Sequence, residues 1–68
     1  MKNLILYVIT KKIYGTTAFW NDVEEAFFFT PAYATWYAAE SQAESEVRLS
    51  NLEEVTVLEM RGTLHSID

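Results

Sequence analysis

The run Leu4-Ile5-Leu6-Tyr7-Val8-Ile9 is apolar on both of its alternating faces, which constrains the fold more than any other feature of the chain. β-Branched and aromatic residues favour a strand. Side chains alternate along a strand, so Leu4, Leu6 and Val8 share one face and Ile5, Tyr7 and Ile9 the other. A strand with one wet face would alternate apolar with polar, so this one reads as central and covered on both sides. It ends at Thr10-Lys11-Lys12. Gly15 supplies a hairpin turn, and Thr16 to Trp20 returns as the second strand.

What can cover such a strand is limited by size. The chain has 68 residues, enough for a single domain over 1–68. A domain of this length buries only about 60% of the surface its unfolded chain exposes. Disulfides, a metal or oligomerisation usually make up the deficit. Cysteine is absent, which removes disulfides and thiolate metal sites together. Large side chains remain, and eight of the ten aromatic residues lie between Phe19 and Tyr37.

Within that stretch Asn21 or Asp22 can cap a short helical turn from Val23 to Ala26, with Glu24 and Glu25 near its positive end. Phe27-Phe28-Phe29 suits a brief strand or an extended link. Thr30-Pro31 is a helix-start signal, because Thr caps well and Pro costs nothing at the first helical position. The spacing predicts a helix from Pro31 to about Arg48, ending before Asn51. Its apolar stripe would hold Tyr33, Trp36, Ala43 and Val47, with Tyr37 at the margin. Phe29, Tyr33 and Trp36 are the expected core aromatics, leaving some of Phe19, Phe27, Phe28 and Tyr37 exposed. Glu53 to Met60 reads as a further strand broken by Gly62, and Leu64 to Asp68 as a short edge or tail. The order β-β-α-β predicts an α+β domain, one helix packed on a mainly antiparallel sheet of three to four strands. One helix covers one sheet face, so the first strand has an apolar face to spare.

From Tyr7-Val8-Ile9 through Trp20-x-Asp22-x-x-x-Ala26-x-x-Phe29-Thr30, the chain resembles a pattern common in small phage-encoded ββαβ proteins of unassigned activity. The resemblance implies an α+β fold and points to an anti-defence, anti-CRISPR-like inhibitor. It departs in the aromatic Phe27-Phe28 and in the acidic helix, where similar chains often carry lysines.

The side-chain inventory argues against an enzyme. Nucleophilic catalysis needs a nucleophile, a base and an orienting group, and His65, the only imidazole, sits in the terminal segment. Glu24/Glu25 and Glu53/Glu54 are adjacent pairs, and neighbours on an element point apart. With only Gly15 and Gly62, no glycine-rich phosphate loop can form. Asp22-x-Glu24-Glu25 lacks the spacing of a calcium loop, so neither a metal nor a cofactor is expected.

Ten acids against five bases give a formal charge of −5. Phosphates are bound by Lys and Arg, so direct nucleic-acid binding is not expected. A protein partner with a basic surface is, because complementary charge selects partners and speeds encounter. Leu4 to Ile9 is too short for a membrane span and lacks a signal-peptide cleavage site, so a soluble protein of the host-cell cytoplasm is expected. The leading reading is a non-enzymatic inhibitor that occupies a basic surface of a nucleic-acid-handling or defence complex, in the manner of a DNA mimic. Glu24, Glu25, Glu40, Glu44, Glu46, Glu53 and Glu54 would supply charge, with Phe28 and Tyr37 as anchors. The alternative is a homodimeric structural or assembly protein sealed through Ile5, Tyr7 and Ile9.

Overall fold

The computed structural model describes residues 2–64, with side chains from residue 4 to residue 61. Strand β1 (Lys2–Ile13) runs the length of the sheet, followed by β2 (Thr16–Asn21), β3 (Ala26–Phe28), helix α1 (Glu40–Leu49) and β4 (Val55–Leu64). The sheet is antiparallel throughout, in the order β3-β2-β1-β4. This is the expected α+β class. β1 lies between β2 and β4, as its doubly apolar pattern predicts.

Local chemistry explains most boundaries. Tyr14 and Gly15 form a two-residue hairpin loop with φ of 51° and 78°. Positive φ at both central residues suits a turn that follows the right-handed twist of the strands. Asn21 Oδ1 accepts from the Val23 and Glu24 N–H groups at 2.9 and 2.8 Å, capping a turn that is not the helical one expected, because Ala26 already pairs with Asn21 in β3. At the end of α1, Asn51 has φ 53°, its N–H donates to Arg48 O, and Leu52 N–H donates to Val47 O. That pair of bonds is a Schellman cap, with Asn in the left-handed position usually held by glycine.

Three expectations are corrected. Thr30-Pro31 starts only a single 3₁₀ turn, Pro31–Tyr33, and α1 begins at Glu40. The residues between are extended: Tyr7 and Tyr37 exchange two backbone hydrogen bonds of 2.8 Å, and Thr35 N–H donates to Trp20 O at 2.9 Å. β2 stops at Asn21, so this segment takes over the edge of β1 beyond it. A helix there would leave those backbone groups of Tyr7 to find other partners. Next, β4 continues through Gly62, because Leu4 pairs with Gly62 and Lys2 with Leu64. The register with β1 is continuous over its length, and ladder bonds outweigh the modest cost of a strand glycine. His65 and the rest of the expected tail after Leu64 lie outside the described residues.

The third correction concerns which face is covered. The buried core is Ile9, Trp20 and Ala43, and Tyr7, Phe27, Tyr37, Val47, Leu52, Val55 and Val57 pack against it. Helix α1 therefore covers the Tyr7–Ile9 face of β1, the face expected to be bare. The opposite row, Leu4, Leu6 and Val8, has no helix over it, and of the three only Val8 is fully buried. Even the covered face is covered in part. Ten helical residues span about 15 Å, whereas the twelve of β1 span about 40 Å. Ile5, beyond the reach of α1, is 40% exposed.

Candidate functional site

Three groups of side chains stand out, beginning with a polar cluster that fixes the bridging segment. Asp22 Oδ2 accepts from the Tyr37 hydroxyl at 3.1 Å, and Asp22 Oδ1 accepts from Thr35 Oγ1 at 3.3 Å. The Asp22 N–H donates back to Thr35 Oγ1 at 2.9 Å, and Asn21 Nδ2 donates to Tyr33 O at 2.7 Å. Burial, then the hydrogen bond to Asp22, then the charges of Asp22 and Glu46 push the Tyr37 phenol well above the ordinary tyrosine range. Tyr37 is thus a core ring with a tethered hydroxyl rather than the exposed anchor expected of it. Asp22, expected only as a turn cap, is the centre of this cluster.

The carboxylates form the second group. Glu24 and Glu25 are exposed in the β2–β3 turn, Glu40 and Glu44 on α1, and Glu53 and Glu54 in the loop before β4. Among the described residues the only ion pair joins Arg61 to Glu59, so these six have no basic partner there. Glu40 is the first residue of the helix. There its charge is favourable beside the unpaired N–H groups. Glu46 differs from the other six. It is half-buried, and its Oε2 accepts from Trp20 Nε1 at 2.9 Å and from Ser50 Oγ at 2.6 Å. It joins helix to sheet and is not a free surface charge.

The third group is the bare sheet face. Directly paired residues of neighbouring strands share a face, so Leu4, Leu6, Val8, Leu58, Met60 and Phe19 lie on one side with Phe28. Trp36 joins them, with Leu4, Leu6, Met60 and Arg61, around a groove of about 200 Å³. Tyr33 packs its ring 5.3 Å from that of Phe28. Leu4, Tyr33, Trp36, Leu58 and Met60 are between 38% and 59% exposed. Tyr33 and Trp36, like Phe29, were expected in the core; freed from the helix, they stand largely at the surface. Phe28 is half-buried, and Phe27 instead stacks in the core 5.0 Å from Trp20. Towards the hairpin this face turns polar, with Thr10, Lys12, Thr17 and Thr56 around a second groove that Glu54, from the loop before β4, also lines. No strand residue on the bare face is acidic among those described.

The expected dimer residues separate accordingly. Ile9 is fully buried beneath α1 and Tyr7 packs on the same cluster, so neither is available to a partner. Periodicity identified both apolar rows of β1 without showing which one the helix takes. Its partner rows, Val55-Val57 and Leu58-Met60, are both apolar too. No family model matches this chain, and no curated protein or solved structure is similar to it.

Proposed function

We propose that this chain is a non-enzymatic binding protein that engages a protein partner through the carboxylates of its helical side. The observation that carries the reading is the distribution of charge. Six exposed glutamates on α1, in the β2–β3 turn and in the loop before β4 have no basic partner among the described residues, and no described strand residue of the bare sheet face is acidic. Unneutralised carboxylates held on a folded frame attract a basic surface and steer its approach. A surface that normally grips phosphate offers the densest cluster of Lys and Arg. The natural target is therefore a nucleic-acid-handling or defence complex, whose groove the acidic side would occupy in place of DNA or RNA. The resemblance to small phage-encoded proteins agrees with an inhibitor of this kind.

The test is capture from a host lysate at low salt, followed by elution with excess double-stranded DNA. A nucleic-acid-handling protein should be retained, released by DNA, and lost when Glu40 and Glu44 are both changed to Lys. Recovery of no such protein, or retention indifferent to both DNA and the charge reversals, would refute the reading.

A further inference from the structure

The chain is half apolar by composition, yet among the described residues only five apolar side chains are fully or almost fully buried: Val8, Ile9, Ala18, Trp20 and Ala43. A domain this small, with no cysteine, has little stability to spare. The bare face nonetheless leaves Leu4, Tyr33, Trp36, Leu58 and Met60 at 42, 59, 38, 39 and 47% exposure. Contiguous apolar surface of this kind marks an association site.

We infer that the bare sheet face is the contact between two copies of this chain, packed face to face about a two-fold axis. Three observations favour a second copy over another occupant. The first is area. At 150–250 Å² for a large side chain, those exposures leave roughly 450 Å² of apolar surface per copy. A stable complex buries about 800 Å² per partner, of which about 55–65% is apolar, so the patch matches the apolar share of a standard interface. Charge is the second. Each copy is strongly acidic, but the described carboxylates lie on α1, in turns and loops, or on the helix side of β4, where Glu59 pairs with Tyr7. Two bare faces therefore meet without opposing any described strand carboxylate, and Glu54 borders only the groove near the hairpin. An anionic membrane would be repelled by the same net charge. Shape is the third: two sheets with apolar faces pack about 10 Å apart, and a two-fold axis makes one face its own complement. The dimer would leave both acidic sides outward, so it is independent of the partner proposed above.

Light scattering after size exclusion and sedimentation velocity, run on the full chain from low micromolar to near-millimolar concentration, test the inference. The wild type should reach twice the chain mass. Met60→Lys, on the bare face, should weaken association by about thirtyfold or more, because it sets a charge in a dry contact. Leu49→Lys, on the helix and 81% exposed, should leave association unchanged. Far-UV circular dichroism checks folding, and Leu58→Thr, which suits a strand, serves if Met60→Lys does not fold. A wild type that stays monomeric at the highest concentration overturns the inference. So does a dimer untouched by either bare-face variant, which would be paired along the β4 edge, or one that Leu49→Lys dissolves equally well. Retention of a DNA-displaceable partner by monomeric Met60→Lys would show that the acidic side works without the dimer.

Discussion

Glu46→Ala should be the most damaging single change among the glutamates. Trp20 is 5% exposed, and its indole N–H has Glu46 Oε2 as its partner at 2.9 Å. Removing the carboxylate leaves a buried donor with nothing to bond, which costs about 1–3 kcal/mol. Ser50 also loses its 2.6 Å bond to Glu46, but it is only half-buried and can turn to water. Alanine recovers a few tenths of a kcal/mol of helix propensity. The net expectation is a loss of about 2 kcal/mol, equal to about 8–16 °C in Tm for a domain of this size. Glu46→Gln keeps an acceptor oxygen without its charge and should cost about half as much. Glu40→Ala and Glu44→Ala, both exposed and unpaired, should stay within about 0.5 kcal/mol. Urea unfolding followed by circular dichroism measures all four without relying on tryptophan emission. A double-mutant cycle with Trp20→Phe isolates the pair, because phenylalanine has no donor to strand. If Glu46→Ala behaves like Glu44→Ala, or if the cycle shows no coupling, the bond between helix and sheet contributes nothing and the reasoning fails.

Tyr37→Phe should cost about 1 kcal/mol, the usual worth of a half-buried hydroxyl bond, here to Asp22. It should also change alkaline stability. The raised phenol keeps its proton in the folded chain, so its contribution is complete below about pH 10 and is lost as pH climbs from there through the folded value. Urea midpoints between pH 8 and pH 11.5 should fall less steeply for Tyr37→Phe than for the wild type. Tyr14→Asn should stabilise the hairpin by about 0.5 kcal/mol, because Tyr14 has φ 51° and asparagine tolerates that region better; thermal unfolding would show it. Ala43→Leu should destabilise by about 1–3 kcal/mol, since Ala43 is fully buried where the helix meets Ile9 and Trp20.

Where a single residue dictates local geometry, the sequence was readable. Gly15 marks the hairpin, Asn51 marks the end of α1, and the doubly apolar β1 declares itself central. Thr30-Pro31 misled because a cap and a first-position proline fit a 3₁₀ turn as well as a helix. What then decides is long-range pairing of Tyr37 with Tyr7, which no window around Pro31 contains. Helical spacing from Tyr33 to Val47 agreed with the structure only over Ala43 and Val47, the part that packs on the sheet. Glu46 and Asp22 were legible as acids but not as hydrogen-bond acceptors, since their partners Trp20 and Tyr37 lie 26 and 15 residues away. The choice between the two faces of β1 was beyond the pattern for a related reason. Both rows are apolar, and the helix is too short to cover more than part of one.

The pairing of Tyr37 with Tyr7 also determines what the bare face presents. Opposed residues in an antiparallel pair share a side, so Tyr37 falls with Tyr7 under the helix. Successive side chains of an extended segment alternate, so Trp36 must fall on the other side, against Leu4, Leu6 and Met60. The position of Trp36 is therefore secured from the opposite face of the sheet, by the Tyr37 ring in the core and its hydroxyl on Asp22. Thr35, one residue earlier, adds its side chain to Asp22 and its N–H to Trp20 O. With both neighbours of the tryptophan tied down, the largest ring on the bare face is fixed in direction before any second molecule arrives. Prior ordering of this kind lowers the entropic cost of association, which favours a contact built on Trp36 over one built on the untethered Phe29 or Val23.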